Sequence, residues 1–290
     1  MSKNLDILKK YLYDSEENMS SYGTYHIKEK DFKEIENPMN SGTFVKANKI
    51  RKIKYLFAYI LQILIWRKEM FKNEFIKRYQ NLCKQQSRIM NYELIIHGIV
   101  LKILKKRNIL KNNICVIGDG KANFVNGVIN FDGIEKIFSI NLPEALIQDY
   151  IILTQFKTID EKLIKIVENE DDLNDKGKKI FLIPAKNKEF LKSKGINLFV
   201  NMHSFQEMPM RETHKYIEIV LSNSAFLYSL NREEKIMYDG TIIKYADYGL
   251  NKKGEIIFEE EAKFVKYYYN SRIPFIHRKR SKIINTLAKF

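Results

Sequence analysis

Three stretches of this 290-residue sequence combine residue types that do chemistry with spacings that would gather them at one place. The first is Val116-Ile117-Gly118-Asp119-Gly120-Lys121-Ala122-Asn123, two glycines around an acid where a β-branched run gives way to helical sequence. Glycines at a strand-to-helix turn let the backbone pass close to a ligand, and the helix that follows offers free N–H groups. A dinucleotide fingerprint would need a third glycine at Asn123, so a nicotinamide cofactor is disfavoured, and a bare tight turn stays open. The second stretch is Ser139-Ile140-Asn141-Leu142-Pro143-Glu144. Asn141 stands at a strand's carboxyl end, where Rossmann-like sheets hold ribose hydroxyls, while Pro143 and Glu144 suit a helix start. Without a ligand it is a plain strand-to-helix loop. The third, Asn201-Met202-His203-Ser204-Phe205-Gln206-Glu207-Met208, sets an imidazole and a carboxylate four residues apart around a turn. Either His203 or Glu207 would serve as a base near neutral pH, with the other orienting it. Further on, Asn231 and Arg232 are placed to reach a substrate or to cap and pair locally. No carboxylate, His or Cys cluster has metal-ligand spacing, and Cys83 and Cys115 make no disulfide framework, so no metal is expected.

These groups converge only if the right elements carry them. Short β-branched runs at 113–117, 136–140, 179–183, 198–200 and 226–230 read as strands. Helical patterns at 122–130, 144–153, 186–194 and 212–221 separate them, with a further amphipathic piece at 163–167. Strands alternating with helices argue for a Rossmann-like α/β fold with a parallel sheet, and ligands then sit beyond the strands' carboxyl ends. Five parallel strands are expected, closed by an antiparallel hairpin of 235–238 and 241–244 around Asp239-Gly240, with an edge strand near 255–258. Between Phe44 and Leu110 there is no proline and only Gly98, and apolar residues recur at helical spacing, which predicts two or three long helices. The organisation expected is a helical region over 1–110 with a loop or arm at 14–44, a Rossmann-like domain over 111–262, and a basic extension over 263–290.

Charge bounds the partners. Lys and Arg total 50 against 35 Asp and Glu, a formal +15, and 45% of residues are hydrophobic, which excludes wholesale disorder. Segment 45–107 carries +13 and segment 262–290 carries +8, whereas 108–261, with the candidate site, is −4. Lysines outnumber arginines 40 to 10, and bidentate phosphate or base recognition favours arginine, so a nucleic-acid partner is disfavoured. The apolar run 55–66 is too short to cross a bilayer, and the opening residues lack a signal peptide's apolar core, which predicts a cytoplasmic protein. Basic residues at both ends of 51–68 admit an interfacial anchor on an anionic inner-membrane surface, but a core helix with solvated ends is favoured. Arg278-Lys279-Arg280 reads as a solvated tail.

The ordered set Ile117-Gly118-Asp119-Gly120, Ile140-Asn141-Leu142-Pro143-Glu144, Phe205-Gln206-Glu207-Met208 and Phe226-Leu227-Tyr228-Ser229-Leu230-Asn231-Arg232 resembles the sugar O-methyltransferase family of bacterial polysaccharide clusters. That family lies within the class I S-adenosylmethionine-dependent methyltransferases, and the resemblance covers about residues 111–232. It implies a seven-stranded sheet binding S-adenosylmethionine, with Gly118, Asp119 and Gly120 against the methionine part and Asn141 and Leu142 against ribose and adenine. The sequence departs from the pattern at Val116, where an acid is usual, at Ala122, where a third glycine is common, and at Asn141, where Asp is usual.

The function so implied is O-methylation of a sugar hydroxyl in capsule or lipopolysaccharide biosynthesis, on a nucleotide-linked, lipid-linked or polymeric acceptor. His203 or Glu207 would take the hydroxyl proton, and Asn231 or Arg232 would position the acceptor. Two other readings stand beside it: a non-catalytic Rossmann-like module of a membrane-associated assembly, and a nucleic-acid methyltransferase. The basic flanks, 45–107 and 262–290, would form a rim suited to an acidic or phosphate-bearing acceptor.

Overall fold

A computed structural model describes residues 3–13, 53, 57, 60–155, 159–237, 239–269, 275–279 and 281–290. The arm expected at 14–44 lies outside the described residues. Strand-forming runs rich in Ile, Val and Phe build an eight-stranded sheet whose interior strands are buried on both faces, as a sheet covered by helices on both sides requires. Its strands are β1 (Asn112–Ile117), β2 (Ile134–Asn141), β3 (Ile164–Ile166), β4 (Ile180–Pro184), β5 (Leu198–Met202), β6 (Phe226–Arg232), β9 (Glu255–Glu261) and β12 (Ile283–Lys289). They lie in the order β3-β4-β2-β1-β5-β6-β12-β9. The first six run parallel, and β12 is antiparallel to both β6 and β9. This is an open, Rossmann-like α/β sheet, with the topological switch beside β1.

Four expectations are corrected. The amphipathic piece at 163–167 is the edge strand β3, giving six parallel strands rather than five. Over three residues, alternating burial cannot be told from helical spacing by sequence. The predicted hairpin forms, as β7 (Glu234–Ile236) with β8 (Ile242–Lys244), but as a separate two-stranded ribbon that does not close the sheet. Closure comes from β12, drawn from the supposed basic extension and preceded by a small ribbon of β10 (Tyr267–Tyr269) and β11 (Ile276–Arg278). The tail's charges cluster before residue 283, whereas 283–288 carries none and buries Ile283, Asn285, Thr286, Leu287 and Ala288. The helix expected at 186–194 is a run of 3-10 turns over Ala185–Leu191.

Two hydrophobic layers sandwich the sheet. On one face Val116, Ile137, Leu182, Val200, Tyr228 and Leu287 pack beneath five helices. These are α1 (Lys3–Tyr13), α3 (Glu74–Gln85), α4 (Tyr92–Lys106), α5 (Asn123–Val128) and α6 (Pro143–Gln155), while α2 (Arg67–Lys72) leads into α3. On the other face Ile117, Phe138, Phe181, Phe199 and Leu227 meet α7 (Met210–Ser222). The N-terminal helices therefore share a core with the sheet. Gly98 on α4 permits this: a Cβ there would stand 2.6 Å from Cγ1 of Ile76 on α3. Indole Nε1 of Trp66 donates to the Phe264 carbonyl at 3.1 Å, tying the helical region to the chain that leads into β10. Within the stretch read as a core helix, Gln62 and Trp66 are buried but Ile53, Phe57, Ile60 and Leu64 are exposed, so its apolar surface is not wholly inward.

If β12 is an interior strand, Leu287→Ala should lower unfolding free energy by about 2–5 kcal/mol in urea titration, the range for truncating a buried leucine. A solvated tail would instead lose less than about 0.5 kcal/mol.

Candidate functional site

The chain leaves β1 at Ile117 and enters α5 through a loop wound almost entirely in the left-handed region. Gly118, Gly120, Lys121 and Ala122 have φ of 72°, 54°, 62° and 48°. Gly118 is required twice, by its φ and by the close exit of β5, since a Cβ would lie 2.5 Å from that of Ser204. At Gly120 nothing lies within 4 Å of where a Cβ would be, so the loop's face there is open. Lys121 and Ala122 have no such licence, and each costs on the order of 1–3 kcal/mol in this conformation.

Two buried carboxylates hold the loop in place. Asp119 accepts from the backbone N–H groups of Phe124 at 2.6 Å and Val125 at 3.0 Å. Asp149, reaching up from α6, accepts from Ala122 N–H at 2.6 Å and from Asn141 Nδ2 at 3.4 Å. Burial pushes both carboxyls well above the usual range, and the Asp149 charge adds to the rise at Asp119. The Arg88 guanidinium opposes that rise, and its Nη2 donates to Asn123 Oδ1 at 3.1 Å.

A second polar network fixes the ends of β1, β5 and β6 to one another. Ile117 carbonyl accepts from Ser204 Oγ at 2.8 Å and from Asn201 Nδ2 at 3.2 Å. Asn231 Nδ2 donates to Asn201 Oδ1 at 2.8 Å and to Ser229 Oγ at 2.9 Å, and Asn231 Oδ1 accepts from Gln206 N–H at 3.3 Å. Gln206 Oε1 in turn accepts from Arg232 N–H at 2.7 Å. Every one of these groups is satisfied inside the protein, as buried polar groups must be.

Beyond the strands' carboxyl ends lies a cavity of about 880 Å³, within the range of ligand sites. Gly118, Asp119, Gly120, His203, Glu207 and Arg232 line it, so six of the nine residues singled out in the sequence are brought together. Asn141, Leu142 and Asn231 do not line it. The Asn141 side chain turns to Asp149 and to the Leu142 N–H, and Asn231 is fully buried as a strut between β5 and β6. The expected pairing of His203 with Glu207 is not formed either. His203, at φ 69°, is bonded to the Gln206 side chain, and Glu207 Oε1 accepts from Lys235 Nζ at 2.7 Å. Burial, with the nearby charges of Lys279 and Arg232, pulls His203 down to about 3, so its imidazole is neutral at physiological pH.

Other lining residues come from the basic flanks, read in the sequence as a rim but with no residue singled out for the site. Tyr92, Glu93, Ile96 and His97 arrive on α4, and His277, Arg278 and Lys279 on or beside β11. His97 is hidden in the sequence because its helical neighbours are apolar, and burial with the Arg88 charge lowers it to about 3. Arg278 and Lys279, read as solvated tail, line the cavity instead, because β12 carries the preceding segment back across the strand ends. Among the described residues there is no group of three or more His, Cys, Asp or Glu that would hold a metal ion, and no helix is long and apolar enough to cross a membrane.

No family model and no curated protein matches the chain. Solved structures similar to it include magnesium protoporphyrin IX methyltransferase from Synechocystis with bound S-adenosylmethionine, at TM-score 0.38 and 11% identity over 84% of this chain and 99% of that one. The methyltransferase domain of bacterial CtHen1 gives TM-score 0.40 and 10% identity over 67% and 97%. TrmK of M. capricolum in complex with S-adenosylhomocysteine gives 0.36 and 10% over 64% and 67%.

The raised carboxyls make a pH prediction. A carboxyl whose folded pKa exceeds its unfolded value contributes stability at low pH that is lost as pH rises through the folded value. Asp149→Asn keeps an oxygen acceptor for Ala122 N–H and removes the charge that raises Asp119. Urea titrations between pH 5 and pH 8 should therefore show a shallower loss of stability in the variant than in the natural chain. An equal or steeper loss would mean the two carboxyls do not repel.

Proposed function

We propose that the protein transfers a methyl group from S-adenosylmethionine to an acceptor oxygen, a sugar hydroxyl by the resemblance of its motifs. The observation that carries the transferase reading is the meeting, around one cavity, of the left-handed loop from β1 with the polar exits of β5 and β6. Open α/β sheets bind ligands at that position.

The residues present fit the cofactor on two counts. Gly120 leaves open space where a side chain would stand, which gives the methionine part a backbone surface to lie on. Asp119, beside it, lines the cavity with a carboxyl group, the chemistry that complements an ammonium or a sulfonium. Gly118, Asp119 and Gly120 would hold that part, and the cofactor when bound supplies an electrophilic methyl group. What remains for the chain is to bring an acceptor oxygen to near-attack distance and accept its proton. His203 is the residue for the proton, because its neutral imidazole lines the cavity. Glu207, anchored by Lys235, and Arg232, held by its backbone to Gln206, orient the acceptor from the β5 and β6 side.

Calorimetric titration of the full chain should show binding of both S-adenosylmethionine and S-adenosylhomocysteine, and no heat with either would remove the reading. His203→Ala should keep the affinity for S-adenosylhomocysteine while turnover falls by about 10²–10⁴-fold, the usual worth of a general base. Full activity in that variant would take the proton-acceptor role away from His203.

A further inference from the structure

The cavity's charges are not evenly matched. Its three carboxyls are engaged or offset. Asp119 takes two backbone N–H groups, Glu207 pairs with Lys235, and Glu93 Oε2 accepts from Asn91 Nδ2 at 3.0 Å. On the β6 side Arg232, Arg278 and Lys279 line the wall, and none of the three makes an ion pair with a carboxylate of the described residues. Arg278 and Lys279 also line a second cavity of about 410 Å³ that holds Lys266 and Lys282, so the basic surface continues past the first. Burial and, after it, the neighbouring Arg232 charge push Lys279 down to about 8, with Glu93 opposing. Arg232 and Arg278 are exposed and Lys279 is half-buried, so the three present like charge to one solvent-open wall, which an anion would neutralise.

We infer that Arg232, Arg278 and Lys279 form the binding site for a phosphoryl group carried by the acceptor. This rests on the transferase reading and narrows its substrate class to a phosphorylated acceptor. Two guanidiniums offer forked donors and the ammonium a compact charge, a set suited to the several oxygens of a phosphate. The arrangement also links recognition to chemistry. Lys279 and Arg232 are the two charges that depress His203, and an anion bound between them would offset both. The imidazole would then be more basic when the acceptor is in place than when the site is empty.

The test is titration of inorganic pyrophosphate into the full chain, alone and saturated with S-adenosylhomocysteine. Pyrophosphate should bind, and Arg232→Gln and Lys279→Gln should each weaken it by about tenfold or more, as expected for loss of a charged hydrogen-bond donor. Affinity for S-adenosylhomocysteine should stay within about twofold in both variants, which also shows that they fold. Lys252→Gln, which removes an exposed lysine away from the cavity, should leave pyrophosphate binding unchanged. Competition by glucose 1-phosphate, a nucleoside diphosphate sugar or a short prenyl diphosphate would support the site and identify the phosphate's carrier. Pyrophosphate binding without any binding of S-adenosylhomocysteine would keep the anion site and discard the transferase reading. The proposal is overturned if S-adenosylhomocysteine binds and pyrophosphate does not, or if all three variants behave alike. It is equally overturned if a single-stranded oligonucleotide displaces pyrophosphate at a far lower concentration than any small phosphate, since the surface would then be a nucleic-acid channel.

Discussion

Two buried carboxylates, Asp119 and Asp149, carry the constraint on which the site depends. The loop between β1 and α5 holds consecutive residues in a conformation that Lys121 and Ala122 adopt only at a cost. Asp119 ties the start of α5 and Asp149 ties Ala122, so the strain is offset by hydrogen bonds from backbone N–H groups. Bringing two acids into one apolar interior is itself unfavourable, and the buried Arg88 moderates it from the opposite side. The result is a rigid backbone surface at Gly120 facing open space, in the place where an open α/β sheet receives its ligand.

Around that surface the fold arranges unlike partners. The amide network of Asn201, Ser204, Gln206 and Asn231 locks the exits of β5 and β6 against the end of β1, so His203, Glu207 and Arg232 stand at fixed places on the cavity wall. Asn231 serves the site from beneath. Substitution there would act through the strand ends and not through a lost substrate contact. The last strand makes the other contribution. Because β12 runs antiparallel between β6 and β9, the chain entering it must pass the carboxyl ends of the parallel strands, and it leaves Arg278 and Lys279 on the cavity. The overall charge of +15 therefore includes a small, located subset that faces the site.

The N-terminal helices belong to the same structure. α3 and α4 approach through Gly98 and cover one face of the sheet, and the first turns of α4 deliver Tyr92, Glu93 and His97 to the wall. A helical region read only as a neighbour of the sheet thus forms one side of the cavity, and Arg88, just before α4, reaches the glycine loop.

Much of this was legible in the residues. Period and composition placed five of the parallel strands within a few residues, because an interior strand must be continuously apolar and must end at a polar turn. The same logic placed Gly118, Gly120, His203, Glu207 and Arg232 at strand exits, since strand exits are the only positions in such a sheet where polar groups converge. Other features lay beyond it. Ile164–Ile166 is too short for its period to be read, and 283–288 sits after a run of charge that disguises an uncharged stretch of interior strand. Asp149 and His97 look like ordinary positions on apolar helices, and Asn141 looks like a ligand contact. Their roles follow from which side chain lies opposite, and that is a property of packing across elements far apart in the chain. Local sequence determined the kinds of element and the strand exits, because period and turn chemistry are short-range. Tertiary structure alone decided which exit groups face the cavity, which are struts, and which distant cations join them.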